Sequence, residues 1–194
     1  MNNFFFAAAA RALLAISLVL PITGQAQSTT QVRFQTTLGN FVVELYPAKA
    51  PKTVQNFVQY AQDKHFDGTI FHRVIDGFMV QGGGFTADMA QKPTRAPILL
   101  EIDRSLKNER GTIAMARTGN PNSATAQFFI NLVDNANLNA PQPDGYGYAV
   151  FGKVISGMET IDTIRSVATR NQNGFQNVPA TPITINTATV LTSP

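Results

Sequence analysis

The run FHRVIDGFMVQGGGFT, residues 71–86, places one fixed cation among bulky apolar side chains. If the run begins as a strand, alternation puts Arg73 on the face of Phe71 and opposite His72. A turn then returns residues 78–81, which supply a ring, a thioether and a primary amide, to the same neighbourhood. These residues predict a small apolar pocket with two polar groups that direct what it binds.

Other chemistry is poorly supported by the residues of the chain. Residues 82–84 are glycines, but no Gly-Lys-Ser/Thr follows them, so we expect a tight bulge between strands rather than a phosphate loop. No Gly-x-Ser-x-Gly motif occurs, there is no cysteine, and His65 and His72 are the only histidines. A serine hydrolase, thiol catalysis and a histidine-based metal site are therefore not expected, and we predict neither metal nor cofactor.

Two helices are indicated by periodicity and by end signals. Pro51 suits a first helical position, and apolar residues recur at helical spacing over residues 51–63. The segment Ser156-Gly157-Met158-Glu159 has the form of a capping box and predicts a second helix of about three turns.

The rest of the chain is rich in short β-like segments. Residues 31–46 predict an N-terminal hairpin. Further strands are predicted at residues 69–74, 78–81, 98–102, 112–116, 128–131, 149–154 and 183–191. Many short strands with two helices favour a mainly β fold, a closed eight-stranded antiparallel β-barrel capped by the helices. The polar segments 119–125, 135–147 and 169–180 are expected to be irregular loops at its rim.

The N-terminus has the features of an export signal. Arg11 precedes an apolar stretch over residues 12–20, which is followed by Pro21 and small residues near Ala26. A transmembrane anchor is the alternative, but the stretch is far shorter than the roughly 20 residues that span a bilayer. We therefore predict a signal peptide at residues 1–26, a single domain at residues 27–194, and a location in the periplasm.

Charge excludes one class of partner. The net charge is +3, and no two Lys or Arg residues are adjacent, so there is no basic stripe of the kind that contacts phosphate backbones. We expect no nucleic-acid partner and no stable membrane anchor. Nothing in the sequence suggests more than a monomer.

Four segments in order along the chain resemble one protein family. The opening run, GTIAMAR at 111–117, SATAQFFINL at 123–132 and GYAVFGKVISGM at 147–158 resemble cyclophilin-type peptidyl-prolyl cis-trans isomerases, in particular the exported bacterial members. The resemblance implies the cyclophilin fold and an activity on X-Pro bonds during the folding of exported proteins. It implies that the partners are proline-containing peptides and unfolded or partly folded exported proteins. It also makes Arg73 the catalytic arginine.

The resemblance further implies a substrate-binding set. This set is Phe78, Met79, Gln81, Ala116, Arg117, Gln127, Phe129, Leu138 and Tyr148. Its two phenylalanines and Met79 match the pocket for the proline ring, and Gln81 matches the pocket glutamine. Gln127 and the backbone around Ala116 match positions that hold the residues preceding proline. Leu138 and Tyr148 match the far wall of that pocket.

Two positions depart from the pattern of the resembled family. Arg117 stands where many members have asparagine, at a contact made largely through the backbone. Asn137 stands where members carry tryptophan or, in bacteria, often phenylalanine. The resemblance therefore implies a thinner, more polar pocket wall at this point, which bears on tight binding of cyclosporin-like macrocycles more than on catalysis.

The sequence alone leaves alternatives to an enzyme open. The pocket phenylalanines could be plain core, but Phe128 and Phe129 are adjacent, so only one of them can face inward from a strand. A proline-peptide binding module or chaperone with little turnover would keep the groove, and a structural barrel would have it closed by loop 135–147. Arg73 favours the enzyme, since a pure binder needs no donor aimed at the imide nitrogen.

Overall fold

The structure is a computed structural model, and it describes Met1 and residues 30–191 of the 194-residue chain. Apart from Met1, the predicted signal peptide lies outside the described residues. The strands are β1 Thr30–Thr36, β2 Gly39–Leu45, β3 Thr69–Ile75, β4 Met79–Thr86, β5 Thr112–Met115, β6 Phe128–Asn131, β7 Val150–Ser156, β8 Thr169–Gln172, β9 Phe175–Pro179 and β10 Ile185–Leu191. The helices are α1 Pro51–Gln62 and α2 Met158–Arg165, with a short 3₁₀ helix at Ala136–Leu138. None of the helices in this part of the chain has the length and hydropathy to cross a membrane.

Eight strands form one antiparallel sheet in the order β10-β1-β2-β7-β5-β6-β4-β3. The sheet curls strongly, so that its edge strands β3 and β10 approach each other. The residues just before β10 join β3 through an isolated bridge between Ile70 and Thr184 and through a hydrogen bond from Phe71 N to Ile183 O, 3.0 Å long. The predictions of a mainly β fold with two helices and of an eight-stranded antiparallel sheet are confirmed. The sheet is an open half-barrel, however, and its closure is not confirmed.

A cluster of phenylalanine rings fills the inside of the curled sheet. Phe34 stacks on Phe41 with ring centroids 4.8 Å apart, and Phe57 of α1 lies 4.9 Å from Phe151 of β7. Each ring is buried, and burial of one such side chain stabilises the fold by about 1.5–3 kcal/mol. This core fixes the strands whose outer face carries the site.

Helix α1 agrees with its prediction, and a distant carboxylate caps it. Pro51 is at its start, and the Glu101 carboxylate accepts hydrogen bonds from the backbone N of Thr53 at 2.7 Å and of Lys52 at 3.2 Å. A negative group at this end satisfies free N–H groups and complements the helix dipole. The segment around Glu101 was predicted as a strand, but it makes only one isolated bridge, between Ile98 and Ala124.

Helix α2 is shorter than predicted and is not capped by a capping box. It has eight residues, and its N-cap is Gly157, with a φ of 81° and no side-chain cap bond. Ser156 cannot serve as the cap because it is the last residue of β7 and pairs with Val42. Glycine fits the left-handed conformation that joins the strand to the helix.

Segment 169–180 was predicted to be an irregular loop, and most of it forms a hairpin. Strands β8 and β9 are joined by Asn173 and Gly174, whose φ values are 50° and 83°. Two successive positive φ values are typical of the tight two-residue hairpin turn, for which Asn-Gly is the preferred sequence. The hairpin packs along β3, beside the predicted pocket.

Candidate active site

A pocket of about 100 Å³, with apolar side chains and a polar edge, opens on the outer face of the sheet. Its lining brings together residues from five separate segments of the chain, at 73–81, 116–117, 129, 138 and 148. They are Arg73, Phe78, Met79, Gln81, Ala116, Arg117, Phe129, Leu138 and Tyr148. Of the ten site residues predicted from the sequence, only Gln127 is not in contact with this cavity. The roles of the individual residues stay predictions.

The floor of the pocket is a small apolar cluster separate from the main core. Met79 of β4, Phe129 of β6 and Leu138 of the 3₁₀ helix are buried in it, and Phe78 is half-buried at its edge. The ring of Phe128 points to the other side and belongs to the main core. Adjacent residues of β6 thus face opposite sides of the sheet, as alternation predicts.

Arg73 is half-buried at the mouth of the pocket, and a bulge sets its direction. Phe71 pairs with Gly82 and Arg73 pairs with Gln81, so His72 is an extra residue without a partner in β4. The prediction that Arg73 and Phe71 share a face is therefore wrong, since Phe71 lies in the main core and Arg73 lines the pocket. Bulges of this kind re-aim a side chain next to a site.

The same strand pair contains a second irregularity at the glycines. Thr69 pairs with Thr86, but Phe71 pairs with Gly82, so β4 holds extra residues between these pairs. The expected bulge at residues 82–84 is confirmed. A Cβ on Gly84 would lie 2.5 Å from Cγ of Gln127, so the missing side chain leaves room for that glutamine.

Two glutamines form a polar edge beside Arg73. Oε1 of Gln81 lies 3.5 Å from Nη1 of Arg73, and Nε2 of Gln81 donates to Oε1 of Gln127 at 3.0 Å. Gln127 borders a neighbouring groove that Arg73 and Gln81 also line. Its backbone O accepts from the N of Ala116 at 3.0 Å, which keeps the two positions adjacent across β5 and β6.

Arg117 builds the far wall through its side chain. Its guanidinium lies 4.4 Å from the ring centroid of Tyr148, and that ring meets Phe129 edge-on at 5.6 Å. Nη2 donates to Gly147 O at 2.7 Å and to Asp144 Oδ1 at 2.9 Å. The side chain of Arg117 is 2% exposed, so it holds the segment before β7 in place.

Asp144 and Gly147 were not singled out from the sequence. Both belong to a segment that reads as polar loop, and only the fold brings that segment to Arg117. The Arg117 hydrogen bond holds the pKa of the Asp144 carboxyl below its usual range. The pair is therefore charged on both sides at neutral pH.

Asn137 does not form a wall of the pocket. It is exposed on the 3₁₀ helix, whereas its neighbour Leu138 turns inward. The far wall is completed instead by Tyr148 under the Arg117 guanidinium. Asn137 therefore contributes nothing to the pocket lining, and the far wall consists of the residues predicted for it, Leu138 and Tyr148.

A buried network of asparagines lies behind the pocket, and sequence reasoning missed it. Asn131 donates from Nδ2 to Asn108 Oδ1 at 3.2 Å and accepts at Oδ1 from Asn135 Nδ2 at 2.7 Å. Asn135 Nδ2 also donates to Phe78 O at 2.9 Å, and Asn108 Nδ2 donates to Leu138 O at 3.2 Å. The network therefore fixes the backbone of two pocket residues. Single asparagines gave no periodic signal in the sequence.

His72 is neutral at physiological pH. Burial, followed by the positive charge of Arg73, lowers its pKa to about 4. Its ring meets Phe85 edge-on at 4.7 Å, and its Nδ1 has no hydrogen-bond partner within residues 30–191. This histidine is therefore not suited to acid–base catalysis near pH 7.

Within residues 30–191, no group of three or more His, Cys, Asp or Glu side chains is placed to hold a metal ion.

Comparison with known proteins agrees with this geometry. The family model described as "Cyclophilin type peptidyl-prolyl cis-trans isomerase/CLD" matches residues 31–190. Peptidyl-prolyl cis-trans isomerase cyp18 of Streptomyces antibioticus is 54% identical over 162 residues, covering 82% of this chain and 98% of that protein. Peptidyl-prolyl cis-trans isomerase A of Dickeya dadantii (strain 3937) is 50% identical over 186 residues, covering 93% and 97%.

A solved structure is similar in fold. The crystal structure of a Cryptosporidium parvum cyclophilin type peptidyl-prolyl cis-trans isomerase, in the presence of the dipeptide Ala-Pro, matches with a TM-score of 0.70 and 28% identity. The match covers 84% of this chain and 99% of that one. The fold and the pocket thus define an isomerase class. The chain belongs to the cyclophilin-type peptidyl-prolyl cis-trans isomerases, enzymes that interconvert the cis and trans forms of X-Pro bonds.

Proposed function

We propose that this protein accelerates X-Pro isomerisation in exported proteins that pass through or reside in the periplasm, and that it acts as a monomer. In this proposal the proline ring of the substrate enters the apolar pocket, and Arg73 donates to the imide nitrogen as the bond twists. Gln81 and Gln127 hold the carbonyl groups on either side.

The reaction needs little machinery. Rotation about the X-Pro bond breaks no covalent bond, but loss of amide resonance creates a barrier of about 18–20 kcal/mol. A turnover of about 10³ s⁻¹ requires a barrier lower by roughly 7 kcal/mol. At the twisted transition state the nitrogen regains a lone pair, and a donor binds it more strongly there than in the planar ground state.

The pocket suits a proline ring in size and in chemistry. A cavity of about 150 Å³ lined by apolar side chains binds benzene. The pocket here is about 100 Å³, which fits a smaller five-membered ring, and Met79 and Phe129 offer it apolar contact. Holding the ring fixed while the preceding residue rotates is the positional part of catalysis.

The state of Arg73 is the observation that carries the proposal. Within residues 30–191 it forms no ion pair, and its one side-chain hydrogen bond is the long contact to Gln81. Its remaining donors are therefore open to a ligand at the pocket mouth. Arginine is a permanent cation with donors in a fixed plane, and partial removal of water strengthens each donor.

The test is the exchange of a short Ala-Pro-Phe peptide, followed by NMR line broadening. We expect Arg73→Ala to slow catalysed exchange by about 100-fold or more, since it removes a transition-state donor. Arg33→Ala is the matched control, because it removes one positive charge from an exposed position of β1. Equal exchange with the wild-type protein and with Arg73→Ala would remove the catalytic assignment.

The rival function, a peptide-binding module with little turnover, predicts a different pattern. Such a module would bind the peptide through the pocket but leave its exchange rate unchanged in the wild-type protein. The proposed enzyme loses peptide affinity in Phe129→Ala and loses mainly turnover in Arg73→Ala. Measuring dissociation constants and exchange rates on the same samples separates the two functions.

Export is supported by the residues around Arg11 and Pro21 and is tested separately. We expect the full chain, expressed in a Gram-negative bacterium, to be recovered from the periplasmic fraction with an N-terminus near Gln27. The sequencing of that N-terminus is the measurement. Intact chain beginning at Met1 and confined to the cytoplasmic fraction would contradict the export proposal while leaving the enzymatic one in place.

A further inference from the structure

A second groove, larger than the proline pocket, lies directly beside it. Its volume is about 430 Å³. One wall comes from β3, from β4 and from Gln127 just before β6, and the other comes from the hairpin turn and the first residues of β9. The lining residues are His72, Arg73, Gln81, Phe85, Gln127, Gly174, Phe175, Gln176 and Asn177. Arg73 and Gln81 line both cavities, so the groove adjoins the pocket at these two side chains.

The hairpin wall of the groove is held by a row of aromatic rings. Phe175 packs edge-on against Phe85 at 5.1 Å, and Phe85 packs edge-on against His72 at 4.7 Å. Such aromatic pairs add about 0.5–1.5 kcal/mol beyond their buried area. The wall is therefore a packed surface, and the half-buried ring of Phe175 is presented to the groove.

The polar groups of the groove match the polar groups of a peptide backbone. Gln81, Gln127 and Asn177 each carry a carboxamide, which both donates and accepts hydrogen bonds as a peptide bond does. Asn177 has a φ of 59° inside β9, a conformation that asparagine adopts more readily than most residues. Arg73 is the only charged residue in the lining.

We propose that this groove is a second substrate subsite, which binds the residue on one side of the X-Pro pair, either the one before X or the one after Pro, in an extended conformation. The carboxamides of Gln127 and Asn177 bind the backbone of that residue, and its side chain packs against Phe85 and Phe175. The subsite prefers an aromatic or large apolar side chain and disfavours lysine and arginine, because Arg73 adds a like charge. This inference rests on the proposed function, since the proline must occupy the adjacent pocket.

The test compares three capped peptides with the mature protein. Acetyl-Ala-Pro-methylamide is the reference, and Phe is added to it either before Ala or after Pro. We expect one extended peptide to gain about tenfold in kcat/KM and in affinity, the effect of one or two added contacts. The flank that gains identifies which side of the proline enters the groove, and replacing that Phe by Lys should abolish the gain.

Two variants on the hairpin assign the gain to the groove. Asn177→Gly keeps the left-handed backbone and removes the carboxamide, and Phe175→Ala removes the ring. Both should lose most of the gain on the extended peptide and change the reference peptide much less. Asn171→Ala, on an exposed position of β8 that does not line the groove, is the matched control and should keep the full gain.

Failure of this inference is distinguishable from failure of the proposed function. No gain with either flank, or a gain that survives in both hairpin variants, overturns the second subsite even if the reference peptide is isomerised normally. Absence of exchange with every peptide contradicts the proposed function. In that case the dissociation constants of the same peptides still decide whether the groove binds the flanking residue.

Discussion

Gln81 donates from Nε2 to Oε1 of Gln127 at 3.0 Å, and this bond joins side chains 46 positions apart in the chain. The other end of the Gln81 carboxamide faces the Arg73 guanidinium at 3.5 Å. Because an amide oxygen must face the arginine, the NH₂ group of Gln81 must face Gln127. The orientation of both carboxamides is therefore linked to the position of Arg73.

The space for Gln127 depends on Gly84, which gives a first prediction. A Cβ on Gly84 would lie 2.5 Å from Cγ and 2.7 Å from Cδ of Gln127, so Gly84→Ala must displace that side chain. We expect kcat/KM on Ala-Pro peptides to fall roughly 3- to 10-fold, as for loss of one polar contact. Gln127→Ala should produce a similar loss, and the double variant should lose little more than either single one.

Gly119→Ala is the control for the glycine substitution, because a Cβ there would meet nothing within 4 Å. Steady-state rates on the same peptide are the measurement for all four variants. Fully additive losses for Gly84→Ala and Gln127→Ala would show that the glycine does not act through the glutamine.

A second prediction concerns Arg117, which acts on the pocket through Tyr148. Arg117→Ala removes the cation above the Tyr148 ring and the bonds to Gly147, so the far wall loses its support. We expect KM to rise about 5- to 10-fold with a smaller change in kcat, since ground-state and transition-state binding weaken together. Tyr148→Ala should show the same split between KM and kcat.

Lysine at position 117 should not restore the wild-type KM. The guanidinium donates through Nε and Nη2 to one carbonyl and through Nη2 to Asp144, and lysine lacks that planar set of donors. A wild-type KM in Arg117→Lys would mean that charge alone supports the wall. The measurement is the substrate dependence of exchange for both variants.

The strands of the main sheet could largely be predicted from the sequence because short apolar segments bounded by turn residues carry the signal locally. The predicted end of helix α1 lies within one residue of the observed end for the same reason, since its apolar periodicity spans several turns. Helix α2 shows the limit of local reasoning. Its Ser-x-x-Glu pattern is a valid cap signal, but pairing of Ser156 with Val42 depends on a strand far away in the chain.

The hairpin at β8 and β9 was missed although its turn contains Asn-Gly. The residues beside Asn173 and Gly174 are mostly polar, so no alternation marks the strands, and they gain order by packing on β3. The predicted direction of the Arg73 side chain was wrong for a related reason. One extra residue in β3 reverses every face after it, and a bulge of this kind follows from pairing across strands rather than from the run itself.

A third prediction tests the asparagine network behind the pocket. Asn131 is fully buried, and Asn131→Leu, close in shape, leaves the Asn108 oxygen without its donor and Asn135 without one acceptor. We expect the free energy of unfolding to fall by roughly 3 kcal/mol, the cost of buried polar groups left unsatisfied. Peptide affinity should fall as well, because the network holds the carbonyl groups of Phe78 and Leu138.

Asn137→Ala is the matched control for the network, since Asn137 is exposed nearby and lies outside it. Urea denaturation gives the stability, and peptide titration under native conditions gives the affinity. A variant Asn131→Leu that is less stable but binds peptide as tightly as the wild-type protein would limit the network to a structural role.

The last prediction concerns pH. The pKa of His72 is lowered to about 4 by burial and by Arg73, whereas an unfolded histidine has a pKa of about 6.5. Between these values the unfolded chain binds a proton that the folded chain does not, so acid favours unfolding. The contribution of His72 to the free energy of unfolding is complete above about pH 6.5 and should fall by up to about 3 kcal/mol as pH decreases toward 4.

His72→Gln should flatten the dependence of the free energy of unfolding on pH in this range. Burial also lowers the pKa of His65, so His65→Gln serves as the comparison, and urea unfolding at pH 7, 5.5 and 4.5 is the measurement. A wild-type slope in His72→Gln would show that His72 titrates alike in the folded and unfolded chains.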